Sequence, residues 1–256
     1  MNKKIPFFTQ VGAAFNGFGK AISFVFEKGL WIYFIYSIVI AGVLFLFGFG
    51  LIHKLADLLE DYIMSFLSAD KNSMLAGTLN FLLTIGLNIL FFFVFSTFSK
   101  YILLILMSPI MSMISARTEQ VITGKKYPFD FSLLFRDVAR GTMIALRNML
   151  IESGFIIIGF VIFWIPVIGW IYPLFLFVIS WYFYGFSMLD YVSERRRLGV
   201  SQSVAFARQN KGLVIGNGFI FALIFSIPLV GGMVAAVLAP SAACAALFDL
   251  ESRKVV

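Results

Sequence analysis

Two short segments carry the residues whose types and spacing could do chemistry. Both read Ile-Pro-x-x-Gly, the first ending at Gly169 and the second at Gly231, which Gly232 follows. Proline ends a helix because it lacks an amide hydrogen, and glycine permits the tight turn after which a new helix begins. The first amide groups of a helix have no intrahelical acceptor and carry the positive end of its dipole. We therefore predict that Gly169, Gly231 and Gly232 bind an anion through backbone N–H groups; the alternative is that these glycines only make tight turns.

Arg147 is the candidate side chain for the same anion. It lies in a basic amphipathic segment, 131–148, that directly precedes an apolar run. An arginine buried inside a membrane is costly, so we expect Arg147 and nearby basic residues to raise the local concentration of the anion from the cytoplasmic side. Glu152 and Asp190 lie at apolar boundaries, and we interpret them as partners of Arg147 or of the arginine run at 195–197.

Motifs for other chemistry are absent from the sequence. It contains no HExxH zinc motif, no phosphate-binding glycine loop, and no nucleophile with a plausible partner in the single histidine, His53. The single cysteine, Cys244, excludes an intrachain disulfide and a cysteine-based zinc site. We therefore expect a protein that is not an enzyme and that holds neither a metal nor a cofactor.

The composition is that of a membrane protein. Of the 256 residues, 61% are hydrophobic and only 13% are charged, which is too little charge to cover a soluble domain of this size. We interpret the net charge of +7 as basic cytoplasmic loops and not as a nucleic-acid surface, because no motif for reading nucleic acid is present. The expected surroundings are membrane lipids, with no nucleic acid as a partner.

The apolar runs predict a single all-α membrane domain over residues 1–256. Its predicted parts are an amphipathic entry helix at 1–28, spanning helices at 29–52 and 76–107, and two helical hairpins at 131–190 and 193–250. The Ser108-Pro109 pair is expected to end the second apolar run. The hairpins form an internal repeat, because a shift of 62 residues places Asn148 on Asn210 and one Ile-Pro-x-x-Gly segment on the other.

The apolar arms that precede the two breaks are short. Residues 149–165 give 17 and residues 212–227 give 16, below the ~20 residues of a complete span. The favoured interpretation is a pair of half-penetrating hairpins that return to their starting side, and the alternative is two pairs of short complete spans. Re-entry would place 18 of the 20 Lys and Arg residues on one side, so the positive-inside rule predicts that both termini are cytoplasmic.

A series of short motifs resembles a known family, the CysZ sulfate-permease family (the etoposide-induced protein group). In chain order the motifs are Ser108-Pro109, Arg140-Gly141, Arg147-Asn148, Glu152, Ile165-Pro166-Val167-Ile168-Gly169, Tyr184-Gly185-Phe186 and Leu189-Asp190-Tyr191. The resemblance runs from about Gly12 to Leu250. It implies two long transmembrane helices, two pairs of half-penetrating helices, and assembly into a homo-oligomer.

The resemblance also implies a function. It points to a multi-pass protein of the bacterial inner membrane that passes sulfate or a similar oxyanion into the cytoplasm for cysteine biosynthesis. The family's glycine-rich hairpin turn matches Gly231 and Gly232 loosely. The alternative function is a non-transporting membrane scaffold that acts on lipids or on partner proteins.

Overall fold

The computed structural model describes residues 5–66, 74–125, 131–165, 167–227 and 230–255, and these ranges are helical and contain no strand. The predicted segments that include Pro166, Pro228, the Lys126 loop and residues 67–73 lie partly outside them. The α-helices are α1 (Phe7–Glu27), α2 (Tyr33–Phe66), α3 (Met74–Thr123), α4 (Phe131–Ile162), α5 (Ile168–Arg195), α6 (Val200–Gln209), α7 (Lys211–Phe225) and α8 (Gly231–Val255), with a 3₁₀ turn at Leu30–Ile32.

Several helices are long and apolar enough to cross a membrane, so the prediction of an all-helical multi-pass protein is confirmed. Among the described residues the candidate spans are Leu30–Ser65, Tyr101–Thr123, Val138–Ile162, Ile168–Arg195 and Gly231–Arg253. Two apolar helical stretches, Gly77–Phe92 and Lys211–Phe225, are shorter. Length alone would allow α4 and α5 to cross completely, whereas α7, with 15 residues, is short for a full span.

Helix α3 continues through Pro109, where the sequence predicts an interruption. Proline at this position cannot donate to the carbonyl of Ile105, four residues earlier. The hydroxyl of Ser108 donates to that same carbonyl at 2.9 Å. Because the freed acceptor is satisfied locally, the helix runs on to Thr123, and the predicted spans at 29–52 and 76–107 cover only parts of α2 and α3.

The chain divides into two compact units, Met1–Ile38 with Leu104–Val256, and Val39–Leu103. The smaller unit consists of parts of α2 and α3. Within it Gly48 leaves room for the ring of Phe95, since a Cβ at Gly48 would lie 2.0 Å from the ring's Cζ. The hydroxyl of Thr84 donates to Glu60 at 2.6 Å, so the smaller unit has both apolar and polar contacts between its two helices.

The core of the larger unit forms where α1, α5, α7 and α8 meet. Its buried side chains include Ala13 and Ala14 of α1, Val214 of α7, and Leu247 and Leu250 of α8. Helix α8 is rich in alanine, and its small side chains let α1 come close: a Cβ on Gly17 would lie 2.5 Å from the carbonyl oxygen of Ala242. Close approach of this kind is typical of membrane helices, whose association depends on van der Waals packing.

The closest helix crossing joins α5 to α7 through two glycines. A Cβ on Gly185 would lie 1.8 Å from the carbonyl oxygen of Val214, and one on Gly218 would lie 1.7 Å from that of Trp181. Both distances are far below van der Waals contact, so the two backbones touch directly. This crossing fixes the second hairpin against the first.

Ion pairs join the polar ends of these helices, and they correct the partners expected from the sequence. Asp190 binds Arg140, at 2.9 Å, and not the arginine run.

Arg195 of the arginine run at 195–197 binds Glu119 at 2.7 Å, and both side chains are nearly buried. Arg196 pairs with Glu251, and the hydrogen bonds that Glu251 accepts raise the pKa of the guanidinium. Glu152 accepts a hydrogen bond from Ser180.

Candidate functional site

The described residues at the two helix breaks make the same backbone hydrogen bonds, which supports the internal repeat. The amide of Ile165 donates to the carbonyl of Ile162 at 2.9 Å, and the amide of Ile227 donates to Ile224 at 3.1 Å. Four residues after each of these donors, Gly169 donates to Ile165 at 2.8 Å and Gly231 to Ile227 at 2.9 Å. All four donors and acceptors correspond under the shift of 62 residues.

The glycines of the breaks are needed for these turns. A Cβ on Gly169 would lie 2.4 Å from the carbonyl oxygen of Phe163, and one on Gly231 would lie 2.0 Å from that of Ile224. The amides of both glycines already donate within the turns. The structure thus gives Gly169 and Gly231 a role in chain reversal, and an anion contact at Gly169, Gly231 and Gly232 stays a prediction.

Apolar side chains cover the outside of both breaks. At the first break Trp164 is 76% exposed and Trp170 is 82% exposed, and Ile227 and Val230 are exposed at the second. Exposed apolar side chains clustered at a chain reversal would be costly in water and are suited to lipid hydrocarbon. We call these two ends the hairpin tips.

At the opposite end of the hairpin arms, basic side chains from three helices line a cavity. It is about 520 Å³ in volume, and its cations are Arg147 of α4, Arg208 of α6 and Lys211 of α7. We call it the basic cleft. Its remaining wall is mostly apolar and consists of Ile151, Tyr182, Phe183, Phe186, Val204 and Ile215. A neighbouring cavity of about 590 Å³ shares Arg147, Val204 and Arg208.

Among the described residues, the three cations of the basic cleft form no ion pair with a carboxylate. No carboxylate lines either cavity, and the ion pairs of the described residues use other cations. Arg147 donates to the amide oxygen of Asn148 at 3.3 Å, and Arg208 lies beside the hydroxyl of Tyr182. An anion is the ligand that such a cleft attracts.

Arg140 holds the helix that carries Arg208. Its guanidinium binds both carboxylate oxygens of Asp190, at 3.0 and 2.9 Å, and donates to the hydroxyl of Ser203 in α6 at 2.7 Å. It also donates to the carbonyl of Leu198, just before α6. A partly buried bidentate arginine pair of this kind fixes geometry as well as charge, so α4, α5 and α6 meet in one arrangement at the cleft.

Sequence reasoning identified Arg147 and missed Arg208 and Lys211. The internal repeat contained the signal: Asn148 corresponds to Asn210, so Arg208 and Lys211 flank the position in the second unit that corresponds to Arg147. Each unit therefore has cations beside its asparagine, where the apolar arm starts. The fold brings both sets to one cleft.

The structure does not bring Arg147 together with the glycines of the breaks. From Arg147 to the end of α4 at Ile162 there are 15 residues, which at about 1.5 Å per residue is roughly 22 Å. Helix α7, between Lys211 and its end at Phe225, has a similar length. One anion cannot touch the basic cleft and a hairpin tip at once, so the two candidate sites would act in succession.

A comparison with protein families identifies the chain. The model of the sulfate transporter CysZ/etoposide-induced protein 2.4 family matches residues 17–235, which include the basic cleft and both breaks. A comparison with curated proteins finds no match. The matched segment covers most of the 256 residues, and the chain therefore belongs to the sulfate transporter CysZ/etoposide-induced protein 2.4 family.

Proposed function

We propose that this protein is an inner-membrane permease for an inorganic oxyanion, with sulfate as its substrate and cysteine biosynthesis as the use of that sulfate. The observation that carries the proposal is the basic cleft, whose three cations have no carboxylate in the cavity lining. Membership of a family of sulfate transporters supports the same substrate class. The family is one of transporters and not of enzymes, so no bond is made or broken in the proposed activity.

The proposed path uses the cleft and the hairpin tips in turn. Arg147, Arg208 and Lys211 concentrate the dianion at the membrane surface. Beyond them the arms are apolar, where a buried Lys or Arg would be costly. Backbone amides at helix starts offer partial positive charge without that cost, and the amide of Gly232 at the start of α8 is the group proposed for this step.

The proposed topology is a single membrane domain with both termini in the cytoplasm and with two half-penetrating hairpins. Arms of roughly 22 Å from Arg147 and Lys211 are shorter than a hydrocarbon core of about 30 Å. The exposed apolar side chains at the tips suit an end inside the bilayer. A homo-oligomer would enclose the proposed anion path, because the hairpin pair of a single protomer would leave one side of that path open to lipid.

Cysteine labelling should distinguish a half-penetrating hairpin from a spanning one. We expect a cysteine at exposed Ser65 to react with an impermeant maleimide from outside the cell, and one at exposed Ser252 to react only after the membrane is opened. A cysteine at Trp164, on the first tip, should react in neither case, because it would lie in hydrocarbon. The native Cys244 is buried and gives a low background. External labelling of the Trp164 position would contradict re-entry, and external labelling at Ser252 would contradict the orientation.

Sulfate uptake into vesicles tests the proposed function. Purified protein reconstituted into phosphatidylcholine vesicles should admit radiolabelled sulfate down its concentration gradient at a rate well above that of protein-free vesicles. Unlabelled sulfate in excess should reduce the entry of label, because the site saturates. Entry no faster than in protein-free vesicles would contradict a permease and favour the alternative function, a scaffold that acts on lipids or partner proteins.

A further inference from the structure

We propose that the basic cleft is also a binding site for an anionic phospholipid, whose phosphate group binds Arg147, Arg208 and Lys211 while an acyl chain follows the apolar wall. This inference extends the proposed function and rests on it only for the position of the hairpins in the membrane. It concerns a lipid that binds reversibly and shares the cations of the cleft with the transported species, which is a free inorganic anion.

The basic cleft is much larger than a sulfate ion. Its volume of about 520 Å³ falls in the range of roughly 300–1,000 Å³ that holds organic ligands of considerable size. A sulfate ion would fill a small part of it. The space left beside a bound oxyanion is therefore large enough for the rest of an organic phosphate ester.

The basic cleft combines a charged part with an apolar part. Along α4 and α7 each cation precedes an apolar wall residue by about one helical turn in the direction of the tip, Arg147 before Ile151 and Lys211 before Ile215. An apolar wall offers nothing to a hydrated inorganic anion. It does match a ligand with a charged group at one end and a hydrocarbon chain at the other.

The cations of the basic cleft lie at the level expected for lipid headgroups. Arg147 and Lys211 lie at corresponding levels, each roughly 22 Å from the end of its apolar arm. With the tips inside the bilayer, this level is that of the lipid headgroups, where phosphate groups are abundant and where long basic side chains extend. Basic pockets between membrane helices are known to bind anionic headgroups at this depth.

Charge decides between lipid classes. Phosphatidylglycerol presents a phosphate without a cation of its own, whereas the choline of phosphatidylcholine would meet three like charges. The cleft should therefore prefer phosphatidylglycerol. Because lipid phosphate and free sulfate would bind the same cations, phosphatidylglycerol should also compete with sulfate.

Native mass spectrometry of the purified full-length protein tests this inference. Detergent-solubilised protein is given equal amounts of phosphatidylglycerol and phosphatidylcholine with matched acyl chains. We expect the wild type to retain phosphatidylglycerol at least fivefold more than phosphatidylcholine. The variant Arg208→Gln/Lys211→Gln should lose this preference. The control Arg117→Gln/Arg197→Gln removes the same charge from two exposed positions outside the cleft. This control should keep the preference for phosphatidylglycerol.

Two further probes separate the possible sources of the phosphate group. Glycerol 3-phosphate at equimolar concentration should displace phosphatidylglycerol only weakly, because it does not contact the apolar wall, whereas inorganic sulfate in large excess should displace the lipid, because both bind the same cations. Displacement by glycerol 3-phosphate at equimolar concentration would overturn the lipid proposal and assign the cleft to small phosphate esters. The lipid proposal would also be overturned if the control variant lost the preference for phosphatidylglycerol to the same extent, or if the wild type showed no such preference. Sulfate uptake into phosphatidylcholine vesicles is measured separately, so a failure of lipid binding and a failure of transport can be told apart.

Discussion

Replacing Gly218 with alanine is expected to prevent the hairpins from packing, although the change adds a single methyl group. That methyl carbon would lie 1.7 Å from the carbonyl oxygen of Trp181 and 2.8 Å from the amide nitrogen of Gly185. Both neighbours are backbone atoms, which cannot move aside as a flexible side chain can. The clash of the added methyl group can be removed only if α5 and α7 move apart at the crossing. We therefore expect the variant to be destabilised by more than about 3 kcal/mol, at the upper end of overpacking effects.

Gly154→Ala is the matched control for Gly218→Ala. Gly154 also lies inside a helix, but a Cβ there would meet no atom within 4 Å. Alanine should therefore stabilise α4 slightly, by up to about 1 kcal/mol, through helix propensity. We expect monodisperse elution in detergent and an unchanged or raised denaturation temperature for Gly154→Ala, and aggregation for Gly218→Ala. Equal denaturation temperatures for the two variants would show that α5 and α7 do not touch at these glycines.

Neutralising the basic cleft is expected to slow sulfate entry strongly while the fold survives. The triple variant Arg147→Gln/Arg208→Gln/Lys211→Gln removes the three cations that line the cavity. Two opposite unit charges about 4 Å apart in water attract with about 1 kcal/mol, so three cations contribute about 3 kcal/mol to the attraction of the anion, or on the order of a hundredfold in local concentration. We expect at least a tenfold lower initial rate of sulfate uptake at concentrations well below saturation.

The control for this variant removes equal charge elsewhere. Arg117, Lys125 and Arg197 are exposed and line neither cavity, so their triple glutamine variant should keep most of the uptake rate. The difference between the two variants should shrink at high ionic strength, because salt screens exposed charges. Equal rates for the two variants at low ionic strength would exclude the cleft from the path of the anion.

Local sequence patterns predicted the features that depend on local chemistry. The Ile-Pro-x-x-Gly pattern favours a helix break, so both breaks and the start of α8 near Gly231 could be placed from the residues alone. The apolar runs likewise predicted helices and membrane insertion. The repeat could be found because the corresponding turns need the same residue types at the same spacing.

Features that depend on contacts distant in sequence could not be predicted in the same way. The pairing of Asp190 with Arg140 joins residues 50 apart, and nothing local favours it over the adjacent arginine run. The repeat marks Arg208 and Lys211 as neighbours of the position that corresponds to Arg147, but only the meeting of three helices shows that all three cations line one cavity. The continuity of α3 depends on which carbonyl the Ser108 hydroxyl reaches, and the residue type alone does not specify that.

If the protein is a permease that admits sulfate down its electrochemical gradient, potential-driven sulfate flux into vesicles is the most direct test of that activity. Sulfate carries two negative charges, so a potential of about 100 mV acts on it with about 4.6 kcal/mol, twice the energy per elementary charge. With equal sulfate on both sides, an inside-positive potential should drive net uptake into vesicles that contain this protein. Reversing the potential should drive sulfate out. Vesicles with the protein that respond to neither sign of the potential, like protein-free vesicles, would contradict that activity.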